Sequence, residues 1–508
     1  MSDNPVDTTL DAPTIRFIDD LARHEAERIA AYHYPEQRPA RVEPASERSR
    51  IVVHTDAPKQ LITGIGFEIM SDSIGSGNLG IPEETTSVPH DLTPAERQRL
   101  YREMLSGFRY CRLAGGLFVR GTDAERKHLR PRWPTQFDEL REMIEVAGIE
   151  GVSYEYWSPQ PYWKTSGSYI GIDHDQDGLR CFGPDFADDP EYHGDVDRFL
   201  ADFAASRVQD LRTLDEAGIP VAMWGMQNEP FFYSTWPGCS YRPEDYVRAF
   251  QAVAPAVRAY NPRIAILADT GLSWDFRFIR PVLDDPAHHN LVDILVMHLV
   301  GSDSKHIRPP SEPTGKPRMN NEFEYLQGPA TPARCLNTVQ NIMNWFQLAD
   351  APSWFWIHAL KPLGHEEASG YSLGLWQPHG HNGTNLPELP PGHWTWNPYN
   401  WHAVGSFVRH MPWDCRSVTV EEPDGSDDDL RVCAFTRPDG KLTVALSNRS
   451  FRSHTYHVET NRGAEFRGFR YTPDSAGEQC RGVPIGTCHG PDLSIEIPDM
   501  AWEFWEEV

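Results

Sequence analysis

Short apolar runs recur along the chain after residue 60, and amphipathic stretches separate most of them. Eight of these runs have the length and the apolar content of buried strands. They are LITGIGFEI from residue 61, FRYCRLAGG from 108, GIEGVSYEYWSP from 148, IPVAMWGMQNEP from 219, IAILADTG from 264, LVDILVMHLV from 291, KPRMNNEFEY from 316 and APSWFWIHAL from 351. Because these runs alternate with helical patterns, they indicate an α/β fold with a parallel sheet, and eight repeats predict a (β/α)8 TIM barrel.

The stretches between the runs carry ordinary helix signals. LTPAERQRLYREMLSGF opens with Thr-Pro, and RPEDYVRAFQAVAPAVRAYNP stops at Asn-Pro. Such patterns lie between most of the runs, but the interval between the sixth and seventh runs carries no convincing long helix. An open, doubly wound sheet is the competing architecture, but the glycines after the first run do not follow the GxGxxG order of a phosphate-binding loop. The barrel is therefore favoured.

From about residue 401 the pattern changes to an alternation of apolar and polar residues. DLRVCAFTRPDGKLTVALSN has the pattern of two strands around a Pro-Asp-Gly turn, and SHTYHVET and DLSIEIPDMAWEFWEEV continue the alternation. This predicts a C-terminal antiparallel β-sandwich. At the other end, residues 14–32 have helical spacing and precede a polar connector. The predicted domains are residues 1–60, an N-terminal helix and connector; residues 61–400, the barrel; and residues 401–508, the β-sandwich.

The chain is acidic, with 47 Lys and Arg against 73 Asp and Glu and a formal net charge of −26. Such a surface repels phosphate backbones and anionic lipid, so neither nucleic acid nor a membrane is an expected partner. The N-terminus shows no basic segment followed by an apolar core, which predicts a cytoplasmic protein. The eight cysteines are scattered without zinc spacing. We expect reduced thiols, although Cys480 and Cys488 flank a Gly/Pro-rich loop and could pair. Oligomeric state is not readable from the sequence.

Chemistry in a TIM barrel takes place at the C-terminal ends of the strands. Two carboxylates lie at such ends, Glu229 on the fourth run and Glu322 on the seventh, and we expect them to face each other across the barrel mouth. Tryptophans are frequent at the same ends and in the loops that follow. Sugars offer flat C–H faces that stack on indole rings and hydroxyls that bond to Asn, His and Arg. A barrel mouth of this composition is therefore suited to glycoside hydrolysis.

These motifs resemble those of the clan A glycoside hydrolases, and more closely those of glycoside hydrolase family 30. QNEP and WPGCSYRPEDYVRAF, within residues 227–250, resemble the acid/base region, and WSPQPYWK, residues 157–164, resembles the third-strand signature. Arg112 in YCRLAGG resembles the second-strand arginine, and WNPYNWHAVGSFVRHM resembles the segment that leads into the sandwich. The resemblance covers roughly residues 60–508. RMNNEFEY and GIGFEIMSDS match only loosely, so related clan A enzymes that act on galactans or agar-type polymers stay alternatives.

The resemblance implies a retaining double displacement on β-linked or stereochemically equivalent glycosides, with oligosaccharides as the expected substrates and without a cofactor. It implies Glu229 as general acid and base and Glu322 as nucleophile. Arg112 would keep Glu322 ionised, and Asn228 would bond the 2-hydroxyl of the sugar. A carbohydrate-binding barrel without activity, and a transglycosylase that uses the same glutamates, are the alternative functions.

Four further residues at the strand ends are predicted to contact substrate. Trp157, Trp163 and Trp356 are candidates for contacts with sugar rings, although a large aromatic at a barrel rim also serves as plain packing. His298, at the end of the sixth run, either contacts the sugar or the catalytic residues, or is a structural histidine at the barrel end.

The seventh run contains two glutamates that compete for the role of nucleophile. Alternation along a strand places Asn320, Glu322 and Glu324 on one face and Asn321 on the other. A step of two residues covers roughly 6.6 Å along a parallel strand, so only one glutamate can lie close to Glu229. The clan pattern puts the nucleophile at the strand end, which favours Glu322. Glu324 is then expected to pair with an arginine or to contact a distal hydroxyl.

One segment resembles a metal site. DHDQDG, residues 173–178, has the opening half of a calcium loop, but position twelve is Pro184 where a glutamate is required. An acidic solvated turn is the expected structure, with bound calcium as the alternative, and no catalytic metal is predicted.

Overall fold

The structure is a computed structural model, and it describes residues 46–47, 50–69, 91–169, 177–230, 237–271, 279–309, 314–325, 328–362, 372–377, 389–423, 427–474 and 481–508. Three predicted features lie outside these residues. They are the helix at 14–32, Cys480 of the Cys480–Cys488 pair, and residues 173–176 of the acidic segment.

The strands, in chain order, are β1 (Ser46–Glu47), β2 (Ile51–Ile62), β3 (Gly64–Glu68), β4 (Tyr110–Gly115), β5 (Gly121–Thr122), β6 (Leu129–Arg130), β7 (Gly151–Tyr156), β8 (Val221–Gly225), β9 (Ala265–Gly271), β10 (Ile294–Met297), β11 (Arg318–Phe323), β12 (Ser353–Trp356), β13 (His358–Pro362), β14 (Ser372–Trp376), β15 (Trp394–Trp396), β16 (Cys415–Glu421), β17 (Leu430–Thr436), β18 (Leu442–Asn448), β19 (His454–Thr460), β20 (Glu465–Tyr471), β21 (Val483–His489), β22 (Asp492–Ile497) and β23 (Ala501–Glu507). The α-helices are Pro94–Arg99, Gln136–Ala147, Val196–Glu216, Pro243–Tyr260, Arg280–Leu283, Pro332–Gln347 and Pro398–His410, and a π-helical segment spans Leu100–Leu105.

Eight parallel strands close into a barrel in the order β3, β4, β7, β8, β9, β10, β11, β12. The ring closes where β12 pairs with β3, with Ser353 opposite Gly64. Each strand lies in one of the eight predicted runs, so the prediction of a TIM barrel is confirmed. Every residue of β3, β4, β7 and β11 is buried, as expected of strands that face a packed lumen on one side and helices on the other.

Helices flank the barrel strands where the sequence predicts them. Val196–Glu216 starts after Asp195, whose side chain accepts a hydrogen bond from the amide of Arg198 and caps the helix. Between β10 and β11, the described residues contain one 3-10 turn, Ser304–His306, and no α-helix, which agrees with the missing helical pattern there. None of the described helices is long and apolar enough to cross a membrane.

A second sheet of ten strands forms the other domain, in the order β1, β19, β2, β16, β17, β18, β23, β20, β21, with β22 paired to β19. Its strands enclose an apolar core of their own, which includes Val53, Val432, Val444, Tyr456 and Ile495. The predicted β-sandwich is confirmed. The sheet is largely antiparallel rather than wholly so, because β19 runs parallel to β1 and β2.

Strand β2 corrects the predicted domain boundaries. It pairs with β16, with Val53 opposite Val420, and with β19, so residues 51–62 belong to the sandwich and not to a connector that ends at residue 60. The physical reason is the burial of Ile51 and Val53 in the sandwich core. At the other boundary, Pro398–His410 is a helix that packs on Pro332–Gln347, so the C-terminal part of the sandwich begins at β16 rather than at residue 401.

Arg449 links the sandwich to the barrel. Its Nη1 donates to Asp303 Oδ1 at 3.0 Å and to Ser304 Oγ at 3.2 Å, and its Nε donates to Asp429 Oδ1 at 3.1 Å. The side chains of Arg449 and Asp303 are each only 4% exposed. Burial alone would raise the pKa of Asp303, but the guanidinium and the hydrogen bonds to Asp303 outweigh burial and lower it.

Replacing Arg449 by alanine is expected to destabilise the protein by about 1.5–3 kcal/mol, because the buried carboxylate of Asp303 loses its guanidinium partner and retains its contacts with Lys305. The free energy of unfolding from urea titration at neutral pH measures the effect. The difference from the wild type should shrink as pH falls below the ordinary aspartate pKa of 3.8, since protonation of Asp303 removes the charge that Arg449 compensates. Arg50→Ala is the control, because its ion pairs with Glu459 and Asp492 are exposed and should contribute little. Equal losses in the two variants would contradict the interpretation.

Candidate active site

The guanidinium of Arg112 lies at the centre of a buried polar cluster in the barrel and uses all five of its N–H donors there. Nε donates to Glu155 Oε2 at 2.9 Å, and Nη2 donates to the same oxygen and to Asn228 Oδ1. Nη1 donates to Glu68 Oε2 at 2.8 Å and to Glu322 Oε2 at 2.6 Å. Strands β3, β4, β7 and β11 and the segment after β8 therefore meet at one side chain.

Glu229 and Glu322 approach each other beside this cluster, with His298 between them. His298 Nδ1 lies 3.0 Å from Glu229 Oε1 and 3.4 Å from Glu322 Oε2. One carboxylate oxygen of Glu229, one of Glu322 and a ring nitrogen of His298 all lie within 4.8 Å of one another. The two glutamates predicted to face each other across the barrel mouth are thus in close proximity.

The surroundings raise the pKa of both Glu229 and His298. Burial raises the pKa of Glu229, and the Glu322 carboxylate acts in the same direction, while His298 and Arg112 act against them. Burial disfavours a charged His298, but the carboxylates of Glu322 and Glu229 outweigh it and raise the pKa of the imidazole. A carboxyl group with an increased affinity for its proton therefore lies next to an imidazole whose proton affinity is also increased.

Asn228 is oriented by its hydrogen bond to Arg112. A guanidinium only donates, so the amide oxygen of Asn228 must face Arg112 and its NH2 group is directed away from it. The backbone amide of Asn228 donates to Tyr156 O at 2.7 Å, which extends the pairing of the fourth barrel strand onto β7 beyond Gly225. Glu229, the next residue, has a φ of 45°, a left-handed conformation that is strained for a residue with a side chain. Neighbouring residues thus hold an amide and a carboxyl in fixed positions.

The side chains of β11 do not alternate as simply as the sequence predicts. Its pairing with β12 shifts register between Asn320 and Phe323, where β11 contains one additional residue. Asn321 Nδ2 reaches Glu155 Oε2 at 3.2 Å, while Glu322 reaches Arg112, so neighbouring residues contribute to the same cluster. The prediction that Asn321 faces away from the side of Glu322 is wrong for this reason.

Trp157 lies beside the cluster, but Trp163 and Trp356 do not. The Trp157 ring centre is 5.9 Å from Arg112 Cζ, and its indole N–H is buried with no hydrogen-bond partner among the described residues. Trp163 is 1% exposed, packs on Phe199 and Phe203, and donates its N–H to Lys127 O.

Trp356 has no exposed surface and packs on Phe323 and Trp354. Both indoles are buried in core packing, and their predicted contact with sugar rings stays a prediction.

Solved structures share this architecture. The chain superimposes on the catalytic domain of a family 30 xylanase C from Talaromyces cellulolyticus with a TM-score of 0.67 and 14% identity, covering 91% of this chain and 100% of that one. A family 30 subfamily 8 xylanase from Clostridium acetobutylicum gives 0.60 at 14% identity over 90% and 100% of the two chains. An endo-β1,6-glucanase gives 0.61 at 14% identity over 91% and 96%. The chain has the fold of the family 30 glycoside hydrolases.

The likeness is one of structure, since no protein-family model and no curated protein matches the sequence. Within the family 30 fold, Glu229 and Glu322 lie at the C-terminal end of the fourth and seventh barrel strands, as the sequence predicts. Glu324, the competitor for the nucleophile, is buried and paired with His358 Nδ1. Burial lowers the pKa of His358 well below its ordinary value, with the charges of Lys361 and Arg112 acting in the same direction.

Glu68 and Glu155 are the members of the cluster that the sequence analysis missed. Both lie inside apolar runs, in GIGFE and GVSYEY, and both are completely buried. The sequence did contain a signal for both residues. A glutamate inside a buried strand of a parallel barrel needs a buried partner, which indicates a polar cluster. Burial raises the pKa of Glu68 to about 8, and the carboxylates of Glu322 and Glu155 act with it, while Arg112 acts against it.

Glu229, His298 and Glu322 are the group that could hold a metal ion among the described residues. However, Arg112 already lies 2.6 Å from Glu322 Oε2, and its positive charge disfavours a cation beside it. In the acidic segment, Asp177 is paired with the buried Lys164 at 2.8 Å, while the preceding residues 173–176 lie outside the described part.

Proposed function

We propose that the chain is a retaining glycoside hydrolase that cleaves β-linked oligosaccharides by double displacement. The observation that carries the proposal is the approach of a Glu229 oxygen and a Glu322 oxygen to within 4.8 Å. Retaining glycosidases place their two carboxyl groups about 5–5.5 Å apart, whereas inverting enzymes need about 6.5–9.5 Å to admit a water molecule. The fold shared with family 30 xylanases and an endo-β1,6-glucanase supports the same class of reaction.

In the proposed first step, Glu322 attacks the anomeric carbon while Glu229 protonates the leaving oxygen. The raised pKa of Glu229 keeps a proton available for this purpose. Arg112 donates to Glu322 Oε2 at 2.6 Å and holds the attacking carboxylate in position. In the second step, Glu229 acts as a base on the incoming water.

His298 and Asn228 have assigned roles in the proposal. His298 donates Nδ1–H to Glu229 and orients it, and a protonated ring compensates part of the negative charge that Glu229 carries between the two steps. The NH2 group of Asn228 faces away from Arg112 and would donate to the 2-hydroxyl next to the reacting carbon. The buried Trp157 N–H and His298 Nε2 have no hydrogen-bond partner among the described residues, and a polyhydroxylated ligand would supply acceptors for them.

Two alternatives use the same architecture. A barrel that only binds carbohydrate has no need for two carboxylates with an imidazole between them, so turnover of an aryl β-glycoside separates the two functions. A transglycosylase would use the same glutamates and pass the sugar to an acceptor other than water. Product analysis at high acceptor concentration distinguishes it.

The anomeric configuration of the first product tests the proposal. A panel of aryl β-glycosides and defined oligosaccharides is incubated with the protein, and the product anomers are followed by proton NMR before they interconvert. We expect the β-anomer to appear first, since two inversions at one carbon restore the starting configuration. An α-anomer as first product would exclude the double displacement, and absence of turnover over the whole panel would favour the binding barrel.

A further inference from the structure

Two glutamates share one nitrogen of Arg112. Glu68 Oε2 lies 2.8 Å and Glu322 Oε2 lies 2.6 Å from Nη1, so each accepts one of its two hydrogens. Glu68 stands opposite Arg112 in the pairing of β3 with β4, which fixes this contact through the backbone. Arg112 has no N–H left for another partner. A change in the charge of Glu322 therefore alters the electrostatic environment of Glu68 directly.

The surroundings of Glu68 stabilise its ionised form poorly. Its Oε1 is buried and has no hydrogen-bond partner among the described residues, and an ionised oxygen without partners is costly to bury. The groups that face it are the guanidinium of Arg112 and the Cys111 thiol from β4, Glu155 from β7 and Glu322 from β11. Three carboxylates therefore surround one guanidinium, and Glu68 is the one whose second oxygen is unsupported.

We propose that Glu68 is a positioning residue that carries a proton while Glu322 is ionised and releases it to solvent when Glu322 loses its charge. Arg112 then faces two carboxylates in both states. These are Glu155 and Glu322 in the free protein, and Glu155 and Glu68 once Glu322 is neutral. The guanidinium, and the Asn228 amide that it orients, thereby keep their positions.

The exchange has a place in the reaction, and in this respect it rests on the proposed function. Attack by Glu322 converts its carboxylate into a neutral ester, and one negative charge next to Arg112 disappears. The repulsion that helps to keep the proton on Glu68 disappears with it, since Glu322 is one of the causes that raise the pKa of Glu68. Hydrolysis of the ester restores the charge of Glu322, and Glu68 takes up a proton again.

The test needs no substrate, because Glu322→Gln imitates the neutral ester. The C=O stretching band of a protonated carboxylic acid is followed by infrared spectroscopy as pH is raised. The wild type minus Glu68→Gln difference should contain one such band that disappears with a midpoint of about 8. In the Glu322→Gln background, the corresponding difference should have a midpoint about one unit lower or more, as expected when an adjacent anion is removed. If Glu68 had only a structural role, the midpoint of its band would not change with the charge of Glu322.

Glu503 of β23 provides the matched control, since it is a buried glutamate of the sandwich whose pKa is also raised by burial. A Glu503→Gln difference band should keep its midpoint when Glu322 is replaced. If Glu68→Gln does not fold, Glu229→Gln is compared with Glu229→Gln/Glu322→Gln, which removes the other acid near Glu322.

An absent Glu68 band near pH 6, or a midpoint that does not fall in the Glu322→Gln background, overturns the proposal. Because these spectra are recorded without substrate, such a result leaves the hydrolase proposal intact. Conversely, failure of every glycoside to react leaves the proton exchange standing.

Discussion

Replacing Glu322 by alanine is expected to lower kcat by about 10⁴-fold or more on any glycoside that the protein hydrolyses, because the covalent step loses its nucleophile. The fold should survive, since Arg112 keeps Glu68 and Glu155 as partners. Initial rates on an aryl β-glycoside measure the loss. Added azide should restore part of the turnover and give a glycosyl azide of inverted configuration, because a small anion fits the space that the side chain leaves.

The matched control is Glu324→Gln, two residues along the chain and also buried. Glu324 is paired with His358, away from Glu229, so its loss should affect stability more than the rate of the chemical step. A fluorinated mechanism-based sugar followed by peptide mapping should label Glu322. A label on Glu324, or near-normal turnover by Glu322→Ala without azide, would reverse the assignment of the two glutamates.

Replacing Glu229 by glutamine is expected to lower kcat/KM by about 10²–10⁴-fold on glycosides with poor leaving groups, which need protonation as the bond breaks. Activated aryl glycosides should lose much less in the first step, since their leaving groups depart as anions. Rates on a leaving-group series measure both effects. Equal losses along the series would remove Glu229 from the role of acid.

The activity of the Glu229→Gln variant should also depend on pH differently from that of the wild type. Glu229 must be protonated to act as an acid, so activity of the wild type should fall as pH rises through the raised pKa of Glu229. Since glutamine cannot ionise, Glu229→Gln should lose this alkaline decrease on activated substrates. An alkaline limb that is unchanged in the variant would assign the decrease to another group, with His298 as the first candidate because it shares the hydrogen bond.

The barrel was predictable because its strands are buried on both faces and therefore stand out as apolar runs. Positions at strand ends were predictable for the same reason, and Glu229 and Glu322 followed from them. The register shift in β11 was not predictable, because one additional residue does not change the apolar pattern of a strand. Trp163 illustrates a second limit, since composition does not tell which way an indole faces, and here it faces the helix Val196–Glu216.

Interactions between distant parts of the chain were the hardest to foresee. Glu68 and Glu155 look like isolated charges in apolar runs until the barrel closes and brings Arg112 between them. Strand β2 has the alternation of apolar and polar residues that is typical of a strand. Its own residues do not indicate that it pairs with strands near the C-terminus. In both cases the residues themselves are visible in the sequence, but their partners in the folded structure are not.

The placement of β2 in the sandwich has a consequence for biosynthesis. The backbone carbonyl of Lys59 in β2 accepts a hydrogen bond from Arg416, 357 residues later in the chain, so the sheet cannot assemble until the whole barrel has left the ribosome. At ordinary rates of translation this is a wait of roughly 20–70 s. During that interval a twelve-residue strand with buried valines and isoleucines has no sheet to join. A nascent chain of this kind is a natural client for a chaperone that shields extended apolar segments.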